Sequence, residues 1–209
     1  MVGKLLGYYN YTVVLTYIGM MIGLQGIIAA MNGDTNAGLI CLMLAGVCDM
    51  FDGAIASTKK RNADEKCFGI QIDSLSDLIC FGVLPGIILC RQTGNHIIVH
   101  MIVTLFVLCT LIRLSYFNVD EQNRQRVTEG RREFYYGLPV TTIAVSLPLF
   151  FAIADQFGTS RSIVGMMTLI TSGILFLVPF KLRKPEKLGK IVLGVCGAVE
   201  VCFLLVGMS

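Results

Sequence analysis

The chain has 209 residues, 55% of them hydrophobic and 15% charged, with a mean hydropathy of +0.72. Such a composition excludes an ordinary water-soluble domain. The net charge of +3 comes from cations scattered over separate loops, so no nucleic-acid patch and no nucleic-acid partner is expected.

Apolar runs recur at about residues 11–31, 37–57, 69–90, 96–117, 138–154, 162–180 and 191–208. Each approaches the roughly 20 residues that a helix needs to cross the hydrocarbon core. The runs are too closely spaced for a large soluble domain between them. The expected fold is all-α, a polytopic transmembrane bundle of six or seven spans, eight at most, in one integral-membrane domain over 1–209. Only Lys4 precedes the first run and no small-residue cleavage site follows, so that run is expected to be a retained helix. Lys59, Lys60, Arg61 and Lys66 fall in one loop, Arg124, Arg126, Arg131 and Arg132 in a second, and Lys181, Arg183, Lys184, Lys187 and Lys190 in a third. Threading seven spans puts all three loops on one face, which the positive-inside rule makes cytoplasmic. The eight cysteines show no paired metal-ligand spacing, and no disulfide framework is expected.

The first span carries Thr16, Gly19, Gly23 and Gly26. Small residues four apart let helices approach closely, so this face is read mainly as packing, with a substrate role for Asn10 or Thr16 as the alternative. The second span ends in Asp49 and Asp52, followed by Gly53 and Ala56. On a helix the two acids are about 60° and about 4.5 Å apart. A polar hinge over 58–66 leads to a third helix expected to begin near Phe68 and Gly69. Asp73 and Asp77 lie on it one turn apart, separated by about 40°. Both acid pairs thus lie near one end of the bundle, at one depth.

Carboxylates beside hydrocarbon are expensive and mark function by default. Four close ones repel each other, and a divalent cation resolves the repulsion. Oxygen-only ligands suit Mg²⁺ or Mn²⁺, with Ca²⁺ also admissible. One or two such ions, held by Asp49, Asp52, Asp73 and Asp77, would clamp a phosphate or diphosphate. The bland alternative is acids that snorkel to water or pair with hinge lysines.

Further on, Arg113 sits about one turn inside the fourth span, placed either to snorkel or to bind an anion bidentately. Residues 119–133 read as a charged loop, and Gly137 and Pro139 set the entry of the fifth span. His96 and His100, on the outer half of the fourth span, read as interfacial. Glu200 is a lone acid in the last span.

The pattern Asp49-x2-Asp52-Gly53-x2-Ala56, then Gly69-x3-Asp73-x3-Asp77, resembles the signature of the CDP-alcohol phosphotransferase family. The run F-G-I-Q-I-D-S-L-S-D-L-I-C-F-G-V-L-P over 68–85, with Arg113, Phe117-Asn118 and Tyr136-Gly137-Leu138-Pro139, is similar to the phosphatidylserine synthase branch. The resemblance covers roughly residues 10–139 and implies a catalytic core over about 10–140. It implies transfer of a phosphatidyl group from CDP-diacylglycerol to the hydroxyl of L-serine, releasing CMP. Asp49, Asp52 and Asp73 would hold the metal, with Asp77 as a shared ligand and as general base. Gly53, Ala56 and Gly69 would lie against the cytidine diphosphate, with Ser74, Arg113, Asn118 and Gly137 as further substrate-binding positions. A homodimer, membrane lipids as partners and a bacterial-type plasma membrane are implied as well. Two departures stand out: Ser57 occupies a position where the family usually has Arg, and the hinge before Gly69 is two or three residues longer. Lys59, Lys60 or Arg61 would supply the missing charge. The rival readings are another acceptor alcohol (glycerol 3-phosphate or inositol phosphate) and a cation carrier.

Overall fold

The computed structural model describes residues 7–94, 96–127 and 134–183. A 3₁₀ turn, Tyr11–Val13, leads into α1 (Val14–Met31), and a tight turn joins it to α2 (Thr35–Ala56). Next come α3 (Ala63–Asp77), a π-helical segment (Leu78–Val83) and α4 (Leu84–Thr93), which together form one continuous rod. α5 (Ile97–Val127), α6 (Ile143–Gln156) and α7 (Arg161–Leu177) complete the bundle. Two three-residue strands, β1 (Phe134–Tyr136) and β2 (Lys181–Arg183), pair antiparallel with Tyr135 opposite Leu182.

Four of the rods, Tyr11–Met31, Thr35–Ala56, Ala63–Thr93 and Ile97–Arg124, are long and apolar enough to cross a bilayer, and Val140–Gln156 and Arg161–Leu177 are shorter apolar helices. The fold is thus a polytopic helical membrane bundle, with four helices of spanning length among the described residues and two shorter apolar helices where the fifth and sixth spans are expected. The expected span over 191–208, with Glu200, lies outside them.

Two boundaries differ from expectation. The third helix starts at Ala63, well before Phe68, because Asn62 and Glu65 form a reciprocal capping box: Asn62 Oδ1 accepts from Glu65 N at 2.7 Å and Glu65 Oε2 accepts from Asn62 N at 3.1 Å. Local polar bonding thus extends the helix beyond its apolar stretch. Similarly, α5 runs on through Val127, over part of the stretch read as a charged loop. Glu121 and Arg124, one turn apart, pair at 2.5 Å on that extension.

Bare backbone brings the first three rods together. A Cβ on Gly23 would lie 2.4 Å from Cys80 Sγ, and one on Gly26 would lie 2.7 Å from Cys41 Cβ. This face of α1 therefore seats directly on α2 and on the π segment, as the packing reading requires. The core runs from this seat through α2 and α4 to α6 and α7, where Leu42, Leu84, Ile88, Leu147, Phe151 and Leu169 are fully buried. Large apolar side chains such as Ile98, Met101, Leu105, Ile163 and Met167 point outward, as expected of a bundle facing lipid.

Candidate active site

α2 runs toward the hinge and α3 runs back from it, so the two helices present their acids to each other in antiparallel order. Asp49 and Asp77 are the members farther from the hinge, and Asp52 and Asp73 the nearer ones. One carboxylate oxygen from each of Asp49, Asp52 and Asp73 lies within 4.8 Å of the other two. Asp77, the last residue of α3, falls outside that triad but lines the same cavity. Thr16, Gly19, Cys48, Ser76 and Cys80 form other parts of its wall. The cavity has ≈ 10 Å³ open to the centre of a water-sized sphere, enough for one ion or water.

The triad's electrostatics call for a cation. Two full charges at this separation repel by about 3 kcal/mol at an effective dielectric constant of ~20. Three such pairs would rival the whole stability of a typical domain. The structure also leaves Asp73 Oδ1 buried with no hydrogen-bond partner. An orphaned carboxylate oxygen is costly unless something positive completes it. An oxygen-only donor set with one unfilled acceptor fits a hard divalent cation.

Other contacts hold the triad in place. Thr16 Oγ1 on α1 donates to Asp52 Oδ2 at 3.3 Å. Thr16, whose place in the sequence reads mainly as packing, is buried and serves both roles. Its signal was its place on the glycine face of α1, one turn before Gly19. Cys80 Sγ donates to the Gly19 carbonyl at 3.6 Å, anchoring the π segment to the same face. That segment follows Asp77 directly and runs into Pro85 in the first turn of α4. Proline lacks an amide proton for the regular α-helical ladder, and a π turn is one way to absorb the loss.

The remaining sequence-derived positions separate into groups. Gly53 is exposed, and a Cβ there would meet nothing within 4 Å. Ala56 is half-buried at the end of α2. Ser57, at the position where the resemblance has Arg, caps that helix: its hydroxyl donates to the Ala54 carbonyl at 2.7 Å. Gly69 faces the hinge, since a Cβ there would lie 2.9 Å from Arg61 Nη1. Ser74, next to Asp73, donates to Asn118 Oδ1 at 2.7 Å and so ties α3 to α5.

Arg113 and Gly137 meet elsewhere. The buried Arg113 donates through Nε to the Leu138 carbonyl at 3.2 Å and lies over the Phe117 ring at 6.0 Å. Gly137 has φ +76, and a Cβ on it would be 3.1 Å from the Val178 carbonyl oxygen and 3.2 Å from that of Phe176. Its amide donates to Phe180 O at 2.7 Å. The geometry gives Gly137 a packing reason to be glycine: it locks the entry of α6 to the exit of α7. His96 and His100 are exposed, at the start of α5.

The family described as CDP-alcohol phosphatidyltransferase has a sequence model that matches residues 9–178, and the chain belongs to that family. Among curated relatives, an archaetidylserine synthase of Methanothermobacter thermautotrophicus is 35% identical over 138 residues, covering 66% of this chain and 55% of the relative. A CDP-diacylglycerol–serine O-phosphatidyltransferase of Mycobacterium leprae is 30% identical over 147 residues, covering 69% of this chain and 47% of the relative. The enzyme of the same name from Saccharomyces cerevisiae is 35% identical over 114 residues, covering 53% of this chain and 40% of the relative. The matched region thus spans about half the length of these relatives. The chain is an integral membrane protein of this family, and its acidic triad fits a divalent cation.

Proposed function

We propose that the chain transfers a phosphatidyl group from CDP-diacylglycerol to the hydroxyl of L-serine, giving phosphatidylserine and CMP. The observation that carries the reading is the convergence of Asp49, Asp52 and Asp73 within 4.8 Å, with Asp77 on the same cavity. The choice of serine as acceptor rests on the names of the relatives, all three of which denote serine-phospholipid synthesis.

Asp49, Asp52 and Asp73 are the residues to hold the cation, Mg²⁺ or Mn²⁺, with Ca²⁺ an admissible third and Asp77 as a shared ligand. When bound, the ion supplies positive charge to the diphosphate and to the departing CMP oxygen. Asp77 accepts the serine hydroxyl proton as that oxygen bonds to the phosphorus of the phosphatidyl group. The bond from that phosphorus to the CMP oxygen breaks, CMP departs with the electron pair, and Asp77 later loses its proton to water. Gly53, Ala56 and Gly69 leave room for the nucleotide. On this reading Ser74 and Asn118, bonded to each other beside Asp73, face the acceptor, and Arg113 and Gly137 support that side of the site through the packing of α5 against the entry of α6. Residues of about 10–140 form the catalytic core. The acyl chains stay in the bilayer between helices while the nucleotide meets the cytoplasm. A homodimer in a bacterial-type plasma membrane completes the proposal.

The test is CMP release by the purified chain with CDP-diacylglycerol. Release should require both serine and Mg²⁺ or Mn²⁺. Release without serine, or none at all, removes the serine assignment, and competition among labelled serine, glycerol 3-phosphate and inositol phosphate identifies the acceptor. Metal flux into liposomes with no nucleotide lipid would point instead to a carrier.

A further inference from the structure

The hinge between α2 and α3 holds three consecutive cations, Lys59, Lys60 and Arg61, and the structure treats them differently. Lys59 Nζ pairs with Glu65 Oε1 at 3.2 Å. Lys60 is exposed. Arg61 is half-buried and turns back along α3, so that its Nη1 lies 2.9 Å from the point where a Cβ on Gly69 would sit. Gly69 and Asp73 are four residues apart, which on a helix means about 6 Å of rise and about 40° of rotation. The guanidinium therefore lies over the same face of α3 as the acidic triad, one turn nearer the hinge.

Two further features make this a built arrangement. The backbone on either side of Arg61 is pinned. Tyr11 OH and Thr58 Oγ1 share a hydrogen bond at 3.0 Å, Lys59 holds Glu65, and Asn62 caps α3 through Glu65. Second, the neighbouring acid is already engaged. Glu65 accepts from the Asn62 amide, from Lys59 and from Asn10 Nδ2 at 3.3 Å. Among the described residues Arg61 makes no ion pair or hydrogen bond. A guanidinium held in place, with its fork of donors unspent beside a cluster of carboxylates, is arranged for an anion that would reach both it and an ion that those carboxylates would hold.

We infer that Arg61, in the slot left by the missing side chain of Gly69, binds the diphosphate of the nucleotide-lipid donor. The inference deepens the proposed function and rests on its donor half, not on the choice of acceptor. A cation held by the triad would take one end of the diphosphate and Arg61 the other, so the donor would be oriented before any acceptor arrives. Gly69 is open on this account because a methyl group there would push the guanidinium off its seat.

The experiment is equilibrium binding of labelled CDP-diacylglycerol to the full chain in phosphatidylcholine nanodiscs with Mg²⁺ and no serine, followed by steady-state kinetics. Arg61→Ala should weaken donor binding about 10- to 100-fold, the range for a hydrogen bond to a charged group. It should raise the donor KM alike and leave the acceptor KM unchanged. Arg61→Lys should recover only part of the loss, since an ammonium lacks the planar fork, and Lys60→Ala should bind donor as the unaltered chain does. Gly69→Ala should weaken donor binding when Arg61 is present, and clearly less in the Arg61→Ala background. Unaltered donor binding by Arg61→Ala, or an effect confined to the acceptor KM, overturns the inference while the proposed reaction stands. Failure of the unaltered chain to bind CDP-diacylglycerol overturns both, and is seen before any variant is compared.

Discussion

Thr16 on α1 donates its hydroxyl to Asp52 on α2, Oγ1 to Oδ2 at 3.3 Å. The bond crosses between two helices whose close approach depends on the glycine face of α1, so the packing of the bundle and the aim of a triad carboxylate are one arrangement.

A prediction follows for that pair. Thr16→Val keeps the shape and removes the donor. Loss of a bond that orients a metal-binding carboxylate typically lowers metal affinity about 10- to 100-fold. The Mn²⁺ concentration for half-maximal CMP release should rise accordingly, and Thr16→Ser should restore it. An unchanged midpoint in the valine variant would mean that Asp52 needs no help from α1.

The close seat of α1 on the π segment has its own test. Gly23→Ala puts a methyl group 2.4 Å from Cys80 Sγ, far inside van der Waals contact. Overpacking of this kind costs about 1–3 kcal/mol and should lower thermal stability in detergent together with activity. The same methyl would be 3.4 Å from Cys80 Cβ, an ordinary contact. Gly23→Ala combined with Cys80→Ala should therefore recover most of what the single change loses. No recovery in the double variant would show that the helices are held apart by something other than that sulfur.

How far these features were legible in the sequence depends on whether each is local. The spans could be read because hydropathy and length are properties of contiguous residues. Asp49, Asp52 and Asp73 could be read because helical spacing alone puts each pair on one face and the short hinge forces the pairs together. The start of α3 was misplaced because hydropathy marked the apolar stretch while the Asn62–Glu65 capping box, readable as N-x-x-E, set the boundary. The roles of Thr16 and Arg61 required knowing which helix faces which. A threonine on a glycine face looks like packing until its partner across the interface is seen. Three cations in a row look alike until Glu65 claims one and Gly69 receives another.

Gly137 offers a case where sequence resemblance and packing point to different reasons for one residue. Its φ of +76 and the two carbonyls within 3.2 Å of a would-be Cβ leave no place for a side chain. Gly137→Ala should destabilise the protein by about 2 kcal/mol, the left-handed backbone alone accounting for about half or more. The melting midpoint in detergent should fall, while the donor and acceptor KM values of the folded fraction stay as they were. A raised acceptor KM with an unchanged midpoint would instead assign Gly137 to substrate contact.

Asp77 lies at the junction of α3 and the π segment, on the cavity wall but outside the three-carboxylate cluster. A general base needs that position: near enough to reach the acceptor hydroxyl, and at most a shared ligand of the ion that the other three acids would hold. Asp77→Asn preserves shape and removes the ability to take a proton. Turnover should fall by about 10²- to 10⁴-fold, the usual contribution of a positioned base. Binding of CDP-diacylglycerol and of Mn²⁺, measured without serine, should change little. Asp73→Asn should do the reverse in the first step, losing Mn²⁺ binding because it removes an oxygen from the triad and converts its orphaned partner into an amide. If Asp77→Asn loses Mn²⁺ as fully as Asp73→Asn does, then Asp77 is chiefly a ligand and the proton must leave by another route.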